Sequence, residues 1–191
     1  SNLPHTPMCW LEVQEHFNDL VVGTYGRGAW ILDDLTPLQQ LPANAGSVKA
    51  ALFNPKDVYR FQPRVSTMQM FPEPSTGEDP PYGASINFWT NNDKDSVKLF
   101  ITSATGDTVK TIKMKGKPGI NRVWWNLHGK DSKSITLRTL PVGADWVALD
   151  KGRTRSAYIT NTVGAPLVPP GKYTISMVAG DQKFSSSLNV L

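Results

Sequence analysis

The 191-residue sequence predicts an all-β, antiparallel fold, and three observations carry this prediction. The chain contains 15 Gly and 15 Pro, its strand-type segments are separated by turn clusters, and no long helical period is present. Over residues 96–101 the alternation places Val97, Leu99 and Ile101 on one face, which is typical of a half-buried strand. Residues 173–177 alternate in the same way ahead of a Gly-Asp turn, which indicates a second hairpin.

The first predicted element is a β-hairpin in the segment DLVVGTYGRGAWILDD. Its glycines lie between two apolar runs and could either turn the chain or cradle a phosphate. A dinucleotide loop needs G-x-G-x-x-G ahead of a helix, whereas the order here is G-x-x-G-x-G ahead of Trp30 and Ile31. The Gly-Lys-Ser/Thr ending of a phosphate loop is absent too. The spacing therefore favours a hairpin turn.

A short helical turn is expected next, over residues 33–41, with Asp34 or Thr36 as its cap and Pro37 in its first turn. Strands follow at 58–61 and 84–90, separated by a loop rich in proline and acidic residues.

The second half begins with a predicted hairpin, whose strands at 97–101 and 108–114 are joined by a turn at 105–107. In the strand that follows, Val123, Trp125 and Leu127 share one face and Trp124 and Asn126 share the other, so one tryptophan is predicted to be core and its neighbour is not.

The last predicted hairpin closes the chain. Tyr173, Ile175 and Met177 share one face of its first strand, and Gly180-Asp181 form the turn. Its second strand contains the apolar residues Phe184, Leu188 and Val190. Residues 129–170, which have no clear pattern, are interpreted as a long insertion.

Composition argues against several classes of protein. The net charge of +4 is spread over alternating segments, so its densest part is interpreted as a solvated face and no nucleic-acid partner is predicted; that part comprises Lys110, Lys113, Lys115, Lys117 and Arg122. The single cysteine, Cys9, cannot form an intramolecular disulfide. No stretch is long and apolar enough for a membrane span, and no signal peptide is visible. Because Ser1 opens the sequence in place of Met, we expect a fragment whose export signal has been removed.

The segment DLVVGTYGRGAWILDDLTPLQQL resembles the end of the β-propeller in BNR-repeat, sortilin-like bacterial proteins, which are often described as glycosyl hydrolases by similarity. The resemblance covers residues 16–41. No Asp-box repeat, Ser-x-Asp-x-Gly-x-Thr-Trp, is present, and this hairpin is too short to form a propeller. It must therefore pack on the rest of the chain or on another chain, or expose apolar side chains.

The remainder resembles the Ig-like or fibronectin-like β-sandwich that follows such propellers, similar in pattern to the Ig-like domain of the flagellar hook-capping protein. The resemblance rests on residues 97–101, 106–107, 119–127 and 169–175. That family usually has an acidic residue where Asn126 stands. The resemblance thus implies a remnant of a propeller blade at 1–45, followed by an Ig-like antiparallel sandwich at 46–191.

The resemblance further implies a non-catalytic accessory or structural domain of a larger exported bacterial protein, in the periplasm, on the outer surface or secreted. The rest of the parent propeller is its expected partner, and self-association through the hairpin stays open. Sialidase-type propellers carry their catalytic residues in the blades, so the resemblance places none of them here.

Few residues suggest chemistry of their own. His5, His16 and His128 lack metal-type spacing, and Asn91–Asp95 lacks the glycine and glutamate of a calcium loop. Neither a nucleophile motif nor a defined carboxylate pair can be named; the carboxylates considered were Asp33, Asp34, Glu73, Glu78 and Asp145. We therefore predict no catalytic residue, no cofactor and no metal.

The six tryptophans support an alternative function, a carbohydrate-binding module. Flat apolar rings with polar neighbours stack on sugar rings, and the candidates for such a platform are Trp124, Trp89 and Trp146. The competing interpretation makes Trp30, Trp89 and Trp125 core residues and lets Trp124 cover a sheet face beneath the insertion.

Overall fold

A computed structural model of the chain describes residues 3–61, 79–92, 96–130, 136–137, 142–143, 145–146, 153–154 and 165–191. The chain divides into two compact units, 1–126 with 170–191, and 127–169. Predictions that rest on residues 71–78, on residues 93–95 or on most of the insertion lie outside the described residues.

The described residues are almost entirely β-structure. The strands are β1 (Met8–Gln14), β2 (Asp19–Thr24), β3 (Ala29–Leu32), β4 (Ala50–Leu52), β5 (Ala84–Thr90), β6 (Ser96–Ser103), β7 (Thr108–Lys115), β8 (Gly119–Trp125), β9 (Thr136–Leu137), β10 (Arg153–Thr154), β11 (Gly171–Ala179) and β12 (Gln182–Val190). The helix α1 (Thr36–Gln39) and a 3₁₀ turn (Ala45–Ser47) follow β3. The part of the chain that the structure describes contains no helix long and apolar enough to cross a membrane.

Two antiparallel sheets form the sandwich of the first unit. One has the strand order β12-β11-β6-β7 and the other has the order β4-β5-β8. The chain passes from one sheet to the other between β5 and β6, between β7 and β8, and between β8 and β11. The predicted all-β, Ig/fibronectin-like antiparallel sandwich, with an N-terminal hairpin and a short helical turn, is confirmed.

The alternating faces predicted for the sandwich form its core. Leu99, Ile101, Ile175 and Met177 are completely buried. Burying one such side chain stabilises the fold by roughly 1.5–3 kcal/mol. Trp125 of β8 packs edge-to-face on Tyr173 of β11, with ring centroids 5.6 Å apart, which brings the two sheets together at this end.

The predicted strand at 58–61 is an edge segment. Val58 makes an isolated parallel bridge with Val190, and the Leu191 N–H donates to the Val58 carbonyl at 2.8 Å. Arg60 N–H in turn donates to the carbonyl of Leu191 at 2.8 Å. The segment therefore pairs with the last residues of the chain and not with β4.

The predicted N-terminal hairpin is part of a three-stranded sheet with the order β1-β2-β3. Gly26 and Gly28 take φ values of 75° and 73° in its turn, a region that glycine enters without steric cost. The capping prediction was wrong, because Leu35 is the N-cap residue of α1 and makes no side-chain cap. Asp34, one residue earlier and in the left-handed region (φ 60°), accepts the Thr36 N–H instead.

The second unit, 127–169, is described in part. Strands β9 and β10 pair antiparallel, and His128 bridges Leu167. β8 ends at Trp125, so Leu127, although buried as predicted, lies beyond the strand with φ 58°.

Candidate functional site

A cleft of about 850 Å³ lies on the first unit, between the β1–β3 sheet, the segment 56–61 and the start of β5. Its aromatic lining comes from Phe17, Trp30, Tyr59, Phe61, Tyr82 and Trp124. Its carboxylates are Asp19, Asp33, Asp34, Asp57 and Asp79. A cleft of this volume is within the range of small-molecule sites.

The register of β5 and β8 determines which side chains reach this side of the sandwich. Ser85 lies opposite Trp124, and Asn87 lies opposite Arg122. Since side chains alternate along a strand, these four point away from the core that contains Ile86 and Trp125. Polar and aromatic groups therefore cover the outer face of the β5–β8 pair.

A buried carboxylate, Asp34, forms the floor of the cleft, and its side chain is 7% exposed. Its Oδ2 accepts Ser85 Oγ at 3.1 Å and Asn87 Nδ2 at 3.3 Å. Its Oδ1 accepts the Thr36 N–H at 3.2 Å and lies 3.5 Å from Lys56 Nζ. Both oxygens are thus already engaged by the protein.

Arg122 adds the backbone of the same segment to this group. Its Nη2 donates to the carbonyl oxygens of Asp33 and Asp34 at 3.0 and 3.2 Å, and its Nε donates to Asn87 Oδ1 at 2.9 Å. We call Asp34, Lys56, Ser85, Asn87 and Arg122 the Asp34 cluster. The cluster joins the segment that follows β3 to strands β5 and β8 of the sandwich.

The ionisation of Asp34 is set by opposing effects. Burial raises the pKa of its carboxyl, but hydrogen bonds from Thr36 and Ser85 and the charge of Lys56 outweigh burial and lower the pKa below its ordinary value. Lys56 is itself held by a hydrogen bond to the Phe17 carbonyl. The carboxylate is therefore ionised and hydrogen-bonded at neutral pH, as suits a structural anchor.

The walls of the cleft have different chemistry from its floor. Tyr59 and Phe61 are more than half exposed, Tyr82 and Trp124 are half-buried, and Phe61 stacks edge-to-face on Tyr82 at 4.9 Å. Aromatic faces beside carboxylates can contact the apolar face of a sugar ring while accepting hydrogen bonds from its hydroxyls.

The three tryptophans proposed for sugar binding occupy different places. Trp124 lines the cleft. Trp89 lies on the same face opposite Ile120, about 13 Å along the strand pair from the position of Ser85, and donates its Nε1 to the Val48 carbonyl at 3.2 Å. Trp146 belongs to the second unit and is 82% exposed.

The competing interpretation of the tryptophans is correct in part. Trp125 is core, whereas Trp30 and Trp89 are half-buried. Trp10, in a strand that the sequence pattern did not reveal, is 66% exposed.

Sequence reasoning did not identify Lys56, Tyr82 or Arg122 as site residues. Their partners are 21 to 89 positions away in the chain, so no local spacing could reveal them. The sequence signal that could have indicated this site is the adjacent pair Asp33 and Asp34. Two acidic residues at the end of a hairpin need hydrogen-bond donors or positive charges nearby when they are buried. Among the described residues, no group of three or more His, Cys, Asp or Glu side chains could hold a metal ion.

The β1–β3 sheet presents a second surface. Leu11, Val13 and Leu32 face one side of this sheet, while Trp10 and Ile31 face the other, and all five are between 42% and 66% exposed. Within the described residues, β1 and β3 each pair with β2 alone, so both outer edges are open.

In comparisons with known proteins, no protein-family model, no curated protein and no solved structure matches the chain.

Proposed function

We propose that the chain is a non-catalytic structural module of a larger protein. In this module the sandwich supports the β1–β3 sheet, and the β1–β3 sheet contacts the rest of that protein. The observation that carries the proposal is the combination of a sheet with apolar side chains exposed on both faces and a buried cluster that fixes that sheet to the sandwich. A three-stranded sheet needs a hydrophobic face that packs on another element to be stable, and the apolar side chains of this sheet are largely exposed. Exposed apolar surface on both faces is typical of a protein interface.

The state of Asp34 favours a structural role over catalysis. A general acid or base needs an oxygen free to approach a substrate, whereas both oxygens of Asp34 are bonded to Thr36, Ser85, Asn87 and Lys56. The carboxylate holds the segment after β3 in its left-handed turn.

The body that covers the sheet is proposed to be the propeller of an exported bacterial protein of the BNR-repeat, sortilin-like type. This part of the proposal rests on the sequence resemblance over residues 16–41. It fits a sheet whose open edges could accept neighbouring strands of a last blade.

Footprinting with hydroxyl radicals tests this proposal. The labelling of Trp10, Leu11 and Ile31 is measured in the isolated chain and in the full-length protein that contains it, with Tyr59 as the internal reference. We expect strong protection of all three in the full-length protein and unchanged labelling of Tyr59. Equal labelling in both forms would reject the proposal that this sheet is an interface.

A second candidate function, carbohydrate binding, is favoured by one specific observation: Trp124 lines a cleft together with other aromatic rings and carboxylates. The expected ligand is a neutral sugar chain that stacks on Trp124 and Tyr82. Trp89 and Trp146 are then accessory positions at most, since Trp89 lies further along the strand pair and Trp146 lies in the other unit.

Tryptophan fluorescence titrated with a panel of soluble glycans tests this second function. A saturable change that Trp124→Ala weakens about tenfold or more, with Trp10→Ala unchanged, would support the cleft, because an aromatic ring supplies much of the apolar contact in such a site. No saturable change with any glycan would reject it.

A further inference from the structure

The outer face of the larger sheet carries a row of lysines. Val178 of β11 lies opposite Lys183 of β12 on one side and opposite Lys98 of β6 on the other, and Lys98 lies opposite Lys113 of β7. Lys115 follows on the same face, opposite Ser96. We call Lys98, Lys113, Lys115 and Lys183 the lysine face; all four are exposed.

Within the four strands that form this face, no position carries an Asp or Glu side chain. The neighbouring outward positions are hydroxyl or apolar residues: Ser176, Ser185, Thr111, Thr174 and Phe100. Among the described residues, the ion pair that forms is the one between Lys56 and Asp34 on the other side of the sandwich, and no carboxylate pairs with these lysines.

The position of Lys98 shows that the lysine face does more than prevent other strands from pairing with the edges of the sheet. Lysines on an outer strand prevent edge-to-edge pairing, which accounts for Lys113 and Lys115 on β7 and for Lys183 on β12. β6, however, lies between β11 and β7 and has no free edge. Like charges directly opposite each other in an antiparallel pair destabilise the sheet. The Lys98–Lys113 pair therefore costs stability unless an anion sits over it.

We propose that the lysine face binds a linear acidic polysaccharide, carboxylated or sulfated. Adjacent strands lie about 4.8 Å apart, so the four ammonium groups can spread over roughly 15 Å of a flat surface and follow an extended polyanion. The surrounding serine and threonine hydroxyls can bond to the hydroxyl groups of the sugar.

The same face is poorly suited to a nucleic acid. Single strands are held by stacking their bases on several aromatic or arginine side chains, and this face offers one half-buried aromatic ring, Phe100, and no arginine. Lysine ammonium groups supply the charge without the planar, bidentate geometry used to recognise bases.

This inference is independent of the proposed interface and of the cleft. The lysine face belongs to the sheet β12-β11-β6-β7, whereas the cleft borders β5 and β8 of the other sheet. A failure of one proposal therefore leaves the others standing.

Binding is measured by biolayer interferometry on immobilised dextran sulfate and on polygalacturonate at low ionic strength. The test variant is Lys98→Ser/Lys113→Ser/Lys183→Ser, and the matched control is Arg27→Ser/Lys49→Ser/Lys130→Ser, whose positions are also exposed. Each removes three charges and lowers the net charge from +4 to +1. Thermal unfolding of both variants verifies that they fold.

We expect the test variant to bind at least one of the two polysaccharides about tenfold or more weakly than the wild type, with a shallower salt dependence, while the control loses about threefold or less. Equal losses in the two variants would overturn the proposal, because overall charge would then explain the binding. Tighter binding to a single-stranded oligodeoxynucleotide than to either polysaccharide, lost in the same test variant, would also overturn it in favour of a nucleic acid.

Discussion

Nη2 of Arg122 on β8 donates to the carbonyl oxygen of Asp34 at 3.2 Å, so that one guanidinium connects the sandwich to the segment that follows β3. The same side chain also bonds to Asp33 and to Asn87. Arg122 therefore reaches backbone and side-chain acceptors together, as Lys56 of the same cluster does with the Phe17 carbonyl and the Asp34 carboxylate.

Replacing Arg122 by Met should therefore lower the free energy of unfolding by roughly 1.5–3 kcal/mol, because three acceptors lose a charged donor. Arg122→Lys should recover only part of this loss, since an ammonium cannot present the same fork of donors. Urea denaturation measures the change. The exposed Arg27→Met is the matched control, expected within about 0.5 kcal/mol of the wild type; an equal loss in both variants would contradict the structural role.

The lowered pKa of Asp34 predicts a specific acid dependence. A carboxyl whose pKa is lower in the folded state than in the unfolded state adds stability above the unfolded value, near 3.8, and this contribution disappears as the pH falls through the folded pKa. Thermal unfolding between about pH 5 and pH 2 should show a smaller fall in Tm for Asp34→Asn than for the wild type.

Asparagine is suitable for this test because it tolerates the left-handed backbone of position 34, so the variant removes the charge without adding backbone strain. Asp181→Asn, in the exposed β11–β12 turn, is the matched control that also removes one carboxylate. An unchanged profile for Asp34→Asn would refute the assignment of this dependence to Asp34.

Gly83 precedes β5 where no side chain fits. A Cβ on this residue would lie 2.0 Å from the Trp125 carbonyl oxygen, and its φ is 122°. Gly83→Ala should therefore lower the unfolding free energy by more than about 2 kcal/mol, or prevent folding, since strain of this kind costs about 1–3 kcal/mol before any clash is counted. Gly46→Ala, with open space around the position, is the control, and a similar loss there would show that the clash is not the cause.

Lys98→Thr should stabilise the protein in the absence of a polyanion. The substitution removes a like-charge cross-strand pair and puts a β-branched residue in a strand, for an expected gain of about 0.2–1 kcal/mol at low salt. The gain should shrink as salt screens the charges. Chemical denaturation at two ionic strengths measures it, and a loss of stability at low salt would show that the two lysines do not repel each other.

The sandwich could be predicted from the sequence because its strands are buried on one face. Val97 and Leu99 in β6 and Ile175 and Met177 in β11 alternate with polar residues, so period two is visible. The β2–β3 hairpin was equally visible, because Gly26 and Gly28 interrupt two apolar runs.

Neither β1 nor the cleft could be predicted from the sequence, and the reasons differ. Every residue of Met8–Gln14 is exposed, so neither face of that strand imposes alternation on the sequence. Trp124 was visible as a residue that points away from the core, but the cleft around it is formed by segments as distant as Trp30 and Tyr82. Tertiary contacts of this range leave no local pattern.

The pairing of Val58 with Val190 bears on how the protein is made. β1, β2 and β3 are neighbours in sequence and can pair as soon as they leave the ribosome, whereas the sandwich lacks β11 and β12 until residues 171–190 have been synthesised. Contacts across so long a stretch of chain form slowly. During translation, the apolar side chains of β5 and β8 therefore stay exposed until β11 and β12 have been synthesised. In this interval the chain is most prone to aggregation and most accessible to chaperones.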